Sequence, residues 1–74
     1  MNRERRKKIK EIAGRLKECS TDLSFVKEDE DEARENIPEN LQDGEAYCTS
    51  EEYSDKIEDA ISDLDAVVES LEDI

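Results

Sequence analysis

Apolar residues in the first half of the chain fall at Ile9, Ile12, Leu16, Cys19, Leu23, Val26 and Ala33, in alternating steps of three and four, with Glu30 the one interruption. That is the rhythm of a helix burying one stripe against another helix. A residue before proline is biased away from helical geometry, so Ile37-Pro38 ends this segment near Glu35–Asn36. Helix 1 is predicted over about residues 3–35, with Gly14 as a weak spot in its interior. A second stripe runs through Tyr53, Ile57, Ala60, Ile61, Leu64, Val67, Val68, Leu71 and Ile74, and it widens into a band. Its start has two readings. Thr49 followed by Glu52 matches a capping box, whereas Asp43 as a cap would start the helix at Gly44. The second reading makes the helices similar in length and places helix 2 over about residues 44–73.

The connection, about residues 36–43, is short, and short connections join antiparallel neighbours. Ile37 and Leu41 are expected to fold back over the open end. The expected fold is all-α: one domain over residues 1–74, an antiparallel two-helix hairpin. About fifteen apolar side chains must stabilise the whole chain, and so few favour pairing two hairpins as a homodimeric four-helix bundle.

Charge adds the next layer. Charged residues make up 46% of the 74, aromatics 4%, and the net charge is −12. No apolar run is long enough for a signal peptide or a membrane span, so the expected location is the cytoplasm of whatever cell makes the protein, with no membrane partner. The charges are segregated. Residues 1–17 hold eight of the eleven bases and two acids, and residues 18–74 hold three bases and twenty-one acids. In a hairpin the basic start of helix 1 is expected to lie beside Asp65, Glu69, Glu72 and Asp73, with Arg5, Lys8 and Arg15 facing them, which offsets two unfavourable helix-dipole placements. The tip, from Glu28-Asp29-Glu30-Asp31-Glu32 onward, has no such neutralisation.

Candidate chemistry is sparse. The chain has no histidine, no Gly-rich phosphate loop, and no Ser or Cys with a plausible base, so it does not read as an enzyme. Five adjacent acids on a helix point in different directions and cannot converge on one ion, and the spacing of a calcium loop is missing. No metal or cofactor is therefore expected. Cys19 and Cys48 lie about 20 Å apart in the hairpin, too far for a disulfide, and read as free thiols. The net charge disfavours direct nucleic-acid binding. It suits imitation of nucleic acid instead. Ten acids between Glu51 and Asp73 span about 33 Å of helix, roughly one per 3.3 Å, close to the spacing of phosphates along one DNA strand. Solubility is the alternative use of the same charge. The candidate partner-binding residues are Glu28, Asp29, Glu30, Asp31, Glu32, Glu35, Glu51, Glu52, Asp55 and Asp59, together with Phe25, which points away from the seam.

Three stretches also carry a resemblance: MNRERRKKIKEI at the start, EDEDEARENIPENLQ through the turn, and SDKIEDAISDLDAVVESLEDI at the end. Together they resemble a family of small acidic phage and prophage proteins of Gram-positive bacterial genomes, mostly without assigned function. The most specific part is Asn36-Ile37-Pro38-Glu39-Asn40-Leu41-Gln42; Cys19 and Cys48 are not features of that pattern. The resemblance implies a mobile-element origin and an all-helical fold, and it carries no catalytic residue across. The expectation that follows is a phage-encoded inhibitor of a basic host protein, either a defence protein (CRISPR effector or restriction system) or one that handles nucleic acid. The alternative is a structural or regulatory phage protein acting through helix–helix association.

Overall fold

A computed structural model describes residues 1–74. It contains α1 (Arg3–Glu35), a single 3-10 turn (Glu39–Leu41) and α2 (Glu45–Glu72), with no strand. Asn2 caps α1 by accepting a hydrogen bond from the Arg5 amide at 2.9 Å, so one of the orphan N–H groups at that end is satisfied. Pro38 opens the turn. The Leu41 amide donates to its carbonyl at 2.8 Å, and the Gly44 amide donates to Leu41 O at 3.0 Å. Gly44, rather than Asp43, is the cap residue of α2, and no side chain caps that end. The helix thus takes the earlier of the two starts. A Cβ on Gly44 would meet Leu41 O at 3.0 Å, which is tight. Of the two residues expected to close the tip, Ile37 is half-buried, but Leu41 is 55% exposed. The Gln42 amide group donates to Ile37 O and holds the turn instead.

The helices lie antiparallel, with cross-paired residue numbers adding to about 85: Ser20 with Asp65, Lys27 with Glu58, Asp31 with Ser54. The seam on α1 is Ile9, Ala13, Leu16, Ser20, Leu23, Lys27, Glu30 and Arg34, every one buried or half-buried. On α2 it is Tyr47, Ser50, Ser54, Ile57, Ile61, Leu64, Val68 and Leu71. Both sets keep the three-and-four spacing that a packed helix pair requires.

This corrects half of the expected stripe. Ile9, Leu16 and Leu23 face α2 as the periodicity predicts. Ile12, Cys19, Val26 and Ala33 do not; Ala13, Ser20, Lys27 and Arg34 take that row. The physical reason is pairing. The small Ala13 and Ser20 allow close approach, and Ser20, Lys27 and Arg34 each find a partner on α2. The buried core is thin as a result. Only Ala13 and Val68 are buried apolar residues, and no side chain is fully enclosed.

The expected charge register also changes. Ile74 lies level with about residue 10 of α1, so the first two turns of α1 project beyond α2. Lys17 pairs with Glu72 at 3.2 Å. Arg3, Arg5, Arg6, Lys7, Lys8, Lys10 and Arg15 form no ion pair. Asp65, expected to face those bases, accepts a 2.6 Å hydrogen bond from Ser20. Both cysteines are free and exposed.

Candidate functional site

Taking the seam as positions a and d of a heptad sorts the remaining residues onto two flanks. The e positions are Lys10, Lys17, Ser24 and Asp31 on α1, with Glu51, Glu58, Asp65 and Glu72 on α2. The g positions are Ile12, Cys19, Val26 and Ala33 on α1, with Tyr53, Ala60, Val67 and Ile74 on α2. In an antiparallel pair e rows border e rows and g rows border g rows. One flank of the hairpin is therefore polar and stitched across, and the opposite flank is apolar and open. The apolar flank is open throughout, with Ile12 40% exposed, Val26 55%, Tyr53 54%, Val67 48% and Ile74 46%; on the polar flank Ser24 and Asp31 are half-buried and the other six e residues are exposed.

Near the tip the seam carries a polar network. Asp31 accepts from Lys27 Nζ at 2.9 Å, from Arg34 Nη2 at 2.7 Å and from Ser54 Oγ at 2.7 Å. Arg34 also donates to Ser54 Oγ at 2.9 Å and to Ser50 Oγ at 3.3 Å. Ser50 in turn donates to Glu30 Oε1 at 2.7 Å, and Lys27 lies 3.9 Å from Glu58. No buried side-chain nitrogen or oxygen is left without a partner. The ammonium of Lys27, then Ser54 and Arg34, hold the Asp31 carboxyl well below the usual carboxylate range. The same contact with Asp31 raises both Lys27 and Arg34. Each of these shifts favours the charged form. The network therefore joins the two helices through Ser50 and Ser54 and leaves none of its buried polar atoms unpaired.

The candidate partner-binding residues divide accordingly. Glu30 and Asp31 turn into the seam and are engaged there. Glu28, Asp29, Glu32, Glu35 and Phe25 are exposed on the outside of α1. Glu51, Glu52, Asp55 and Asp59 are exposed on α2. Glu28 and Glu35, at b positions, border the same polar flank as Glu51 and Asp55, whereas Asp29, Glu32 and Phe25 lie on the outer face of α1, so the acids of the two helices form two unequal rows. The richer is on α2, where Glu51, Glu52, Asp55, Glu58, Asp59, Asp65, Glu69, Glu72 and Asp73 share the e, f and b positions. Glu72 is paired with Lys17, Glu58 lies near Lys27 and Asp65 accepts from Ser20; the other six form neither an ion pair nor a side-chain hydrogen bond.

Reading the sequence for its most apolar stripe missed the open flank. The signal was present in the width of the second stripe, where Ala60 beside Ile61 and Val67 beside Val68 make two rows instead of one. No group of three or more His, Cys, Asp or Glu side chains converges as metal ligands would. No helix is long and apolar enough to cross a membrane. The largest concavity is an open groove on the projecting end of α1, lined by Arg3, Arg6, Lys7, Lys10 and Glu11. No family model, no curated protein and no solved structure matches this chain.

Proposed function

We infer that this chain is a non-catalytic protein-binding inhibitor of phage or prophage origin. In this reading it acts in the bacterial cytoplasm as a pair of copies, and its acidic α2 face occupies a basic nucleic-acid-binding surface on a host defence or nucleic-acid-handling protein. The observation that carries the reading is the row of nine acids along the outer face of α2, six of them in no ion pair and in no side-chain hydrogen bond. Their axial spacing approximates that of phosphates on one strand. The helix fixes the backbone positions of the array before docking, and charge complementarity speeds encounter with a basic groove. The mobile-element origin rests on the sequence resemblance alone.

A second reading, helix–helix association in phage assembly or gene control, is favoured by the exposed apolar flank. One experiment separates the two. Tagged protein is used to capture partners from nuclease-treated bacterial lysate at low and high salt, beside a variant with Glu51, Glu52, Asp55 and Asp59 changed to Gln or Asn. The inhibitor reading expects a nucleic-acid-binding protein that is retained at low salt, released at high salt and lost with the variant. DNA binding by that protein should fall when the wild-type chain is added. Retention that resists salt, survives neutralisation and is abolished by Val67→Asp would replace the inhibitor reading with apolar docking.

A further inference from the structure

The open apolar flank, the projecting basic end of α1 and the acidic tip look like three separate oddities of one hairpin. We propose that they are parts of one interface: two copies pack flank to flank, with their turns at opposite ends.

The first argument is area. The chain exposes 5941 Å², whereas a compact monomer of 8.5 kDa exposes about 4,700 Å². The excess, about 1,200 Å², exceeds the roughly 800 Å² per partner that a standard interface removes from water. A hairpin measuring 60 × 14 × 12 Å cannot cover that surface itself. The g-row residues are where it is apolar, from Ile12 and Ile74 at one end to Ala33 and Tyr53 at the other. Both helices contribute at each level, so the surface is a two-helix face, the shape that a second hairpin fits.

Charge then selects the orientation. A two-fold axis can place the two turns together or at opposite ends. Turns together would stack two acidic tips, each with eleven acids against Arg34 alone between Glu28 and Glu52. It would also stack the two projecting ends, each with six bases against Glu4 between Arg3 and Lys10. Turns apart juxtapose opposite charges.

Length gives the third argument. The flank on α1 runs from Ile12 to Ala33, so its centre lies midway between Cys19 and Val26. With the axis there, the overhanging Arg3–Lys10 segment of one copy lies level with Glu35 and Glu39 of the other, one turn from Asp43 and Glu45. The overhang that lacks a partner in its own hairpin thus finds one in the second copy. This deepens the two-copy part of the reading above and does not depend on whether the acidic face of α2 meets a basic protein.

The arrangement places Cys19 of one copy level with Val26 of the other on facing α1 helices, whereas the same two positions within one helix lie about 10 Å apart, too far to bridge. The test is oxidative cross-linking of Val26→Cys in a Cys48→Ser background, with sedimentation equilibrium of the wild-type chain, Val67→Asp and Phe25→Asp. We expect a micromolar wild-type dimer and a disulfide between residue 19 of one copy and residue 26 of the other, mapped by peptide mass. Val67→Asp should weaken the dimer at least ~100-fold by burying an unpaired charge. Phe25→Asp, on the back of α1, should leave the mass doubled. The cross-linking arm introduces no charge, so it remains decisive if Val67→Asp fails to fold. A wild-type monomer overturns the proposal and leaves the flank to another protein's helix. A dimer that gives no 19-to-26 disulfide overturns the orientation, and one unaffected by a folded Val67→Asp overturns the surface.

Discussion

The two halves of the seam are built on different chemistry. From Ile9 to Leu23 on α1, against Ile61 to Leu71 on α2, the residues facing across are apolar apart from Ser20. From Lys27 to Arg34, against Ser50 and Ser54, they are charged or hydroxyl-bearing, with Ile57 the main apolar exception. The apolar half supplies burial, which is non-directional and tolerates sliding by a heptad. The polar half supplies little burial but admits one alignment, because Ser54 must meet Asp31 and Arg34 while Ser50 meets Glu30 and Arg34 across the seam. Satisfied polar networks specify geometry more than they add stability. The hairpin therefore takes most of its free energy at the end where its chain termini lie and its register at the tip.

The comparison breaks hardest at Val68, 5% exposed and level with Leu16. Val68→Asp puts a carboxylate into the apolar half, where Lys17 at the same level is exposed and already paired with Glu72. The expected loss is about 3 kcal/mol or more, enough to unfold so thin a core, seen as collapse of the helical circular dichroism signal at room temperature. Val68→Ala should cost about 2 kcal/mol and keep the fold. If Val68→Asp melts like the wild type, the apolar half is not where the stability lies.

Asp31→Asn probes the other half, and pH gives the sign. The folded carboxyl is held below its unfolded value, so its contribution is fully present above the ordinary carboxylate pKa of about 4 and is lost as pH falls through the folded value. The wild type should therefore melt above Asp31→Asn at neutral pH, and the gap should close as the solution is acidified below about pH 4. Comparing the two proteins at each pH cancels the general relief of repulsion as the other carboxylates protonate. A gap that is constant down to strong acid would remove Asp31 from the register argument. A smaller effect is expected at the boundary between the halves. Ser20→Ala forfeits the 2.6 Å bond to Asp65 and should lower stability by about 1 kcal/mol in urea titration; no change would mean that water replaces Ser20 there.

The same contrast explains what was legible in the sequence. Helix, hairpin and antiparallel order follow from period, proline and loop length, each a local signal. On α2 the stripe contains the apolar seam, Ile57, Ile61, Leu64, Val68 and Leu71, but it also takes in Tyr53, Ala60, Val67 and Ile74, which face the open flank, and it omits Ser50 and Ser54. On α1 two rows compete, and the more apolar row, Ile12, Cys19 and Val26, is the one left outside. Periodicity within one helix cannot see that Ser20 meets Asp65 or that Arg34 meets Ser54; those are matches between positions far apart in the chain. The five-acid run misled for the same reason. Glu30 and Asp31 look like surface until Ser50 and Ser54 are placed opposite them. The overhang at the start of α1 needed the register, which the polar half sets.

Gly14 sharpens the comparison from the other side, since it touches neither the seam nor the open flank. It lies in the apolar half of α1 at a position pointing away from α2, and a Cβ built there meets nothing within 4 Å. Its backbone is ordinary α-helix with no positive φ, so glycine serves no conformational need there. Gly14→Ala should then stabilise the hairpin by about 1 kcal/mol, through helix propensity and the smaller entropy of the unfolded chain. The gain should appear as a higher urea midpoint with unchanged slope. The association of two copies should be unaltered, because this face of α1 lies outside the proposed interface. If the substitution instead lowers the midpoint or weakens association, the bare backbone at Gly14 is in close contact with a second chain, and the interface lies on a different side of α1 from the row of Ile12, Cys19 and Val26.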